Sequence, residues 1–468
     1  MTAASDAVSA GWAGSWVASR LGVRLLDGAR PAGVGLADLV GLAVRRNPRR
    51  AHLLVSAVLG KHIPTDPRLV YGSGLLLGEL VRARLRGDEP SRPGALLADA
   101  LRGVPGTAAG LRDHLRAPHL PVDAVVLGYA ETATALGHSV ADALGGAYYL
   151  HSTRRPVMGF ATYGGFEEEH SHATSHLLLP ADSASLDRDV PVVLVDDELS
   201  TGRTVLNTIE ALHAVRPRSR YVVAALVDLR GPADKARMDD LADQLGTRID
   251  AMALAQGQVE LPEGILEAGQ TLVGEISEIS ARGTRLDAST RAFEVSRVEL
   301  EWPAGLPDGG RHGFLPEHRD LLEKDLARMS DVIASGMGDG ASRVLVLGFE
   351  ELMYAPLRLA EALADALPGV DVRYSTTTRS PVLAVDDPGY AIRTRLAFPS
   401  HDDSADGPGE RYAYNVSPAS DRDGFDRIVF VVDDVGDTPA LTSGLLRRLR
   451  ALAPTLVATV PARARRLA

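Results

Sequence analysis

Residues 192–208, VVLVDDELSTGRTVLNT, constrain this chain more than any other stretch. Val192 to Val195 read as a buried strand, and two acids, Asp196 and Asp197, follow at once. Ser200-Thr201-Gly202-Arg203-Thr204 is a short polar turn, after which Val205, Ile209 and Leu212 recur at helical spacing. Strand, acidic pair, small-residue loop and helix in that order put backbone N–H groups and a helix N-terminus where they can hold a phosphate. The acids stand where they can accept hydrogen bonds from sugar hydroxyls. The plainer alternative is a buried strand of a doubly wound fold that ends in an ordinary polar turn.

The neighbouring sequence supplies more of the same architecture. Residues 124–127 read as a strand, 128–133 (Gly-Tyr-Ala-Glu-Thr-Ala) as a loop, 135–144 as a helix and 147–150 as the next strand. A strand–helix–strand unit implies a parallel sheet. Ligands of such sheets bind at the carboxyl ends of the strands, so Gly128, Tyr129 and Glu131 face the same crevice as Asp196 and Asp197. Glu131 suits a metal, a ribose hydroxyl or an acceptor, and equally a cap for the helix that follows. Residues 221–229 and 249–254 read as further strands, 234–245 as a helix, and 257–300 as edge strands and a tail. Upstream, 35–45 reads as a helix stopped by Asn47-Pro48, 52–59 as a strand or short helix, 60–64 (GKHIP) as a turn, 72–86 as a helix and 93–102 as a helical piece. In that turn Lys61 and His62 suit an anion or a base, or simply solvent.

Between the strands at 147–150 and 192–195 lies a long Gly-containing segment, HSTRRPVMGFATYGGFEEEHSHATSH (151–176), whose length suits a lid. Arg154 and Arg155 near one end suit bidentate donation to anionic oxygens, unless the segment is a polar exposed loop with incidental histidines. His170 and His172 near the other are groups that donate a proton or hydrogen bond to developing charge. The EEEHSH cluster also offers metal ligands, at a spacing that matches no fixed rule.

Composition narrows the classes. At 468 residues two or three domains are expected. No uncharged apolar run reaches the roughly 18 residues of a membrane span, and the N-terminus lacks a secretory pattern. There is no cysteine, which excludes disulfides, thiolate metal sites and cysteine nucleophiles and fits the cytoplasm. A net charge of −11 argues against nucleic acid as a partner, the basic tail at Arg463, Arg465 and Arg466 reading as a solvated end.

Residues 192–208 resemble the PRPP-binding motif of type I phosphoribosyltransferases. The resemblance implies that Asp196 and Asp197 meet the ribose 2- and 3-hydroxyls and that Ser200, Thr201, Gly202, Arg203 and Thr204 cradle the 5-phosphate. It also implies that the loop at Gly128 and Tyr129 touches pyrophosphate, though this loop carries Glu131 where a basic residue is common, and that the 151–176 segment closes over PRPP with Arg154 and Arg155 on the pyrophosphate oxygens. The N-terminal part would form a hood over the acceptor, with Lys61 and His62 on that side. Mg²⁺ would sit on pyrophosphate and ribose oxygens near Asp196 and Asp197.

The two halves of the chain repeat one another. VLGYAE (126–131) recurs as VLGFEE (346–351), ADAL (141–144) recurs at 364–367, Thr153-Arg154-Arg155-Pro156 recurs as Thr378-Arg379-Ser380-Pro381, and Val195-Asp196-Asp197 recurs as Val432-Asp433-Asp434. Four matches in one order argue for a duplicated α/β unit. The second copy has Asp437-Thr438-Pro439-Ala440 where the first has its phosphate turn; Asp437 repels a phosphate and Pro439 lacks a backbone donor. Glu351, Arg379, Asp433 and Asp434 are candidates for a different ligand there, or the half is a structural partner. The expected division is 1–300 (core about 120–255), a linker at 301–316 in which Arg311-His312-Gly313 is part of a site or, the better reading, a linker turn, and 317–468. Thr378-Arg379-Ser380-Pro381, GKHIP and EEEHSHAT together resemble the phosphoribosyltransferases of tellurite-resistance-type bacterial operons, which carry a C-terminal domain named for that tetrad.

The expectation is therefore an α/β enzyme of type I phosphoribosyltransferase fold with a second, degenerate α/β domain. It would transfer phosphoribose from PRPP to a small acceptor, releasing pyrophosphate, in the making of a nucleoside-like metabolite, with a homodimer as the candidate assembly. Alternatives are a PRPP-binding regulator, a hydrolase or phosphorylase on a related ribose phosphate with Glu131 activating water, and, least, a PRPP synthetase-like enzyme.

Overall fold

A computed structural model describes residues 15–47, 50–155, 157, 159–166, 176–283, 292–402 and 409–462. The chain opens with α1 (Ser15–Leu21), β1 (Arg24–Asp27), α2 (Leu36–Leu39) and an antiparallel hairpin, β2 (Val40–Asn47) and β3 (Arg50–Ser56). Next come α3 (Pro67–Arg86), α4 (Leu96–Leu101) and α5 (Thr107–Leu115). The first α/β unit runs β4 (Val125–Gly128), α6 (Thr134–Leu144), β5 (Tyr148–His151), the ribbon β6 (Gly164–Phe166) and β7 (His176–Leu178), β8 (Val192–Leu199), α7 (Arg203–Val215), β9 (Arg220–Asp228), α8 (Pro232–Leu245) and β10 (Arg248–Glu260). After α9 (Ile265–Gly283) and β11 (Val295–Val298), the second unit runs α10 (Pro316–Met337), β12 (Arg343–Gly348), α11 (Tyr354–Ala366), β13 (Asp371–Thr376), the ribbon β14 (Arg395–Pro399) and β15 (Glu410–Tyr414), β16 (Arg427–Asp433) and β17 (Thr455–Val460).

The first sheet has the order β1-β10-β9-β8-β4-β5, parallel except for β1. The second has the order β11-β17-β16-β12-β13 and is parallel throughout. Thus β9-β8-β4-β5 recurs as β17-β16-β12-β13, the topology the repeated motifs demand. Valines 192, 193 and 195 and Leu194 are buried through the middle of the first sheet; Val429, Phe430, Val431 and Val432 do the same in the second.

α3 shows how local signals and packing combine. Asp66 caps it, its carboxylate accepting Arg68 N–H at 2.9 Å; Pro67 opens the first turn, and Gly87 at φ +78° closes it. Its Gly74 and Gly78 let α6 approach: a Cβ would lie 2.4 Å from Ser139 Cβ at the first and 2.5 Å from Ala143 Cβ at the second. α6 in turn carries the loop that follows β4.

Three expectations change. Only Leu36–Leu39 of 35–45 is helical; the rest is β2, because Val40, Leu42, Ala43 and Val44 are buried in pairing with β3, and pairing outweighs weak helix propensity. The tail expected over 257–300 contains α9, whose Ile265, Leu272, Val273 and Ile276 pack on the core at helical spacing. β11 belongs to the second sheet, so the division between the sheets falls before Val295, and 301–316 is built structure: Leu306, Asp308, Arg311 and Phe314 are buried, and Phe314 bridges Tyr149 of β5.

Candidate functional site

The carboxyl ends of β4, β5 and β8 form one rim. Gly128 pairs with Val195, and the Tyr129 N–H donates to the Val195 carbonyl at 3.1 Å, so the loop after β4 starts beside Asp196. Asp196, Asp197 and Glu198 are half-buried. Asp196 Oδ1 accepts the Asp197 N–H at 2.9 Å, and Glu198 pairs with Arg50 of β3 at 2.8 Å. Burial pushes the Asp197 carboxyl above its ordinary value, Glu198 adds to this, and Lys61 opposes it.

β8 runs on through both acids to Leu199 before the turn. Gly202, at φ +76°, then opens α7; a side chain there would be strained, and its Cβ would come 3.3 Å from Arg230 Cδ. Thr201 and Thr204 stand half-buried around that helix start and Arg203 is exposed. The first N–H groups of the helix have no partner within it, which makes this end suitable for an anion.

Lys61 and His62 are not solvated. Lys61 Nζ lies 2.7 Å from Thr132 Oγ1 and 3.7 Å from Glu131. Glu131 also lies 4.0 Å from Arg379 of the second half, so the loop after β4, which has no basic residue of its own, is flanked by two cations from elsewhere. His62 is buried against Tyr414, ring centroids 5.6 Å apart, and its carbonyl accepts Asn415 Nδ2 at 2.9 Å. Burial, with Lys61 adding, holds its imidazole well below the usual range, hence neutral.

At the base of the expected lid, Ser152 Oγ accepts the Ala130 N–H at 2.9 Å and meets His176 Nδ1 at 2.7 Å, while Arg154 Nη2 lies 3.3 Å from His176 Nε2. His170 and His172 lie outside the described residues. Arg155 differs from the expectation of a pyrophosphate ligand. Its guanidinium is buried in the second half, 2.8 Å from Asp402 and 3.4 Å from Asp433.

The second-half candidates also separate. Glu351 accepts Thr153 Oγ1–H at 2.8 Å and the Arg154 N–H at 3.1 Å and lies 3.5 Å from Arg311; burial alone would raise its carboxyl, but Arg311 and Arg155 bring it down to about 2. Arg379 and Arg411 each donate to Glu350 at 2.7 Å. Asp433 is fully buried, whereas Asp434 is exposed and only ties the end of β17 through Ala462 N–H, so it does not join the cluster. Asp437 pairs with Arg297 at 2.9 Å, in keeping with a lost phosphate turn.

Sequence reasoning missed Arg50, Ser152 and His176, and set Arg311 aside as a linker turn. One signal points to Arg311: Gly60-Lys61-His62 and Gly310-Arg311-His312 each precede a helix that starts with proline. Among the described residues no group of three or more acids or histidines is placed to hold a metal by itself, and no helix is long and apolar enough to cross a membrane.

Residues 39–258 match the family described as phosphoribosyl transferase, and residues 308–449 match the TRSP domain found C-terminal to that family. No protein of curated function matches the chain. Among solved structures, an adenine phosphoribosyltransferase from Giardia lamblia bound to 9-deazaadenine is 22% identical over 34% of this chain and 84% of its own, with a TM-score of 0.22. The adenine phosphoribosyltransferase from Trypanosoma brucei in complex with AMP, pyrophosphate and ribose-5-phosphate is 18% identical over 35% and 70%, with a TM-score of 0.23. That from Rhodothermus marinus is 17% identical over 29% and 69%, with a TM-score of 0.22.

Proposed function

We propose that this chain, in which a phosphoribosyl transferase match over residues 39–258 is followed by a TRSP domain match over 308–449, moves the 5-phosphoribosyl group of PRPP to a small acceptor with release of pyrophosphate. One observation carries the reading. Asp196 and Asp197 are half-buried in the last half of β8, and the turn after Leu199 delivers Gly202 and the start of α7. In this reading Asp196 and Asp197 accept the ribose hydroxyls, and Ser200 through Thr204 hold the 5-phosphate. The loop at Gly128, Tyr129 and Glu131 lies along the pyrophosphate. Lys61 and Arg379 offset the charge of Glu131 there, which supports an anion-binding role for a loop without its own cation. Arg154 and His176 border the same rim.

The donor set suits a metal that arrives on the ligand. Asp196 and Asp197 would hold Mg²⁺ through their carboxylates together with oxygens of the ligand. Bound there, the ion supplies charge neutralisation of the leaving pyrophosphate. The chain's own part is to hold the ribose and keep water from C1, with the GKHIP turn on the acceptor side. His62, neutral and buried, shapes that side rather than carrying charge. The lack of cysteine suits a reducing cytoplasm.

Calorimetric titration with PRPP and Mg²⁺, with pyrophosphate release followed in parallel, tests the proposal. Asp196→Asn together with Asp197→Asn should abolish binding; intact binding in that variant sinks the assignment. Binding without release in the presence of a panel of bases and acids would favour a PRPP-sensing regulator.

A further inference from the structure

The two halves meet by a reciprocal exchange. Thr65, from the first half, bridges Tyr374 in β13, the edge strand of the second sheet; Phe314, at the start of the second half, bridges Tyr149 in β5, the edge strand of the first. The contacts repeat in detail. A Cβ on Gly60 would lie 2.5 Å from the Tyr374 ring, and one on Gly310 would lie 2.3 Å from the Tyr149 ring. The next residue in each case is basic and turns to the corresponding acid, Lys61 to Glu131 at 3.7 Å and Arg311 to Glu351 at 3.5 Å. Each acid also reaches the other half: Glu131 approaches Arg379, and Glu351 receives Thr153 and the Arg154 N–H. Two copies of one protein related by a two-fold axis make contacts of this self-complementary kind. Here both copies lie in one chain.

The symmetry breaks at Arg155. Its N–H donates to Thr153 Oγ1 at 3.1 Å, as that of Ser380 donates to Thr378 Oγ1 at 3.2 Å, so the two residues hold the same place. Arg155 is long enough to enter the second half and Ser380 is too short to return the contact. The Arg155 guanidinium sits 4.7 Å from the Phe349 ring centre, 2.8 Å from Asp402, 3.4 Å from Asp433 and 3.9 Å from Glu350. In the repeat, Phe349 and Asp433 correspond to Tyr129 and Asp196 of the first half. The acids around Arg155 are sealed, with 0% of the Asp433 and Glu350 side chains and 2% of the Asp402 side chain exposed. An arginine of the chain itself thus fills the place where the first half keeps half-open acids. Breaking such a buried, charge-compensated set to admit a ligand is strongly unfavourable.

We propose that the C-terminal half is an internal dimer partner with no phosphoribosyl ligand of its own: Arg155 closes its site, and its Glu351 fixes the backbone at Thr153 and Arg154 beside the one open site. The count of ligands rests on the phosphoribosyl reading above; the internal partnership does not.

Two measurements on the full chain test it. Hydrogen exchange followed by mass spectrometry on peptides spanning Ser152 to Val157 reports on the amide that Glu351 holds. In Glu351→Gln it should quicken about tenfold while β4 and β8 stay protected. Should that variant fail to fold by circular dichroism, Glu351→Asp, which shortens the reach of the carboxylate to the Arg154 N–H, should quicken the same peptides. Unchanged exchange in a folded variant overturns the partnership. Calorimetry of the wild type with PRPP and Mg²⁺ should saturate at one ligand per chain, and two ligands overturn the closed second site. A wild type that takes no PRPP overturns the phosphoribosyl reading, while the exchange result still decides whether the second half holds the first.

Discussion

Lys61→Met should cost stability in a way that depends on pH. Lys61 is buried, 3.7 Å from Glu131 and 2.7 Å from Thr132, and its charge also offsets Asp197. At 3.7 Å and an effective dielectric of about 20, the Glu131 pair has a Coulomb energy of roughly 4–5 kcal/mol before desolvation. Removing one member of a buried pair costs about 3–5 kcal/mol because the other is left uncompensated. Arg379 remains 4.0 Å from Glu131, so the lower end, about 3 kcal/mol, is expected. With a urea slope of about 3 kcal/mol/M, the midpoint should fall by about 1 M at pH near 7.5. The sign with pH follows from Asp197. Its carboxyl is already raised by burial, and losing Lys61 raises it further, so the folded state binds more protons than the unfolded one above the ordinary carboxylate range. Stability then falls as pH rises through that window, and the gap between variant and wild type should narrow at about pH 5. Equal midpoints at pH near 7.5, or an equal gap at both pH values, would refute the reasoning.

Two further outcomes follow from particular contacts. Gly202→Ala places a side chain at φ +76° at the start of α7, so it should lower stability by about 1 kcal/mol and weaken PRPP binding without altering the second sheet, read by urea denaturation and calorimetry. Asp434→Asn should change stability by less than about 1 kcal/mol, whereas Asp433→Ala, which strips a partner from buried Arg155 and Arg311 and from the Gly436 N–H at 2.7 Å, should cost about 3 kcal/mol or more; equal effects would mean that the two acids share one environment.

What the sequence determined lies in local patterns. Four buried residues, two acids, a Gly-containing turn and a helical repeat specify β8, its carboxyl end and α7, because strand burial, turn chemistry and helix spacing are written within 17 residues. The duplication was legible for the same reason, as was the departure of Asp437 and Pro439 from the turn of the first half. Tertiary structure decided what depends on partners distant in the chain. β2 is a strand because β3 and the second half cover it, and β11 joins the second sheet because β17 offers it a free edge. Arg154 and Arg155 are adjacent in sequence and read alike, yet one lies beside His176 of the first half and the other is buried among the acids of the second. Only the docking of the two halves separates them, since a charged side chain goes where buried acids repay its desolvation, and those acids lie 247 and 278 residues away.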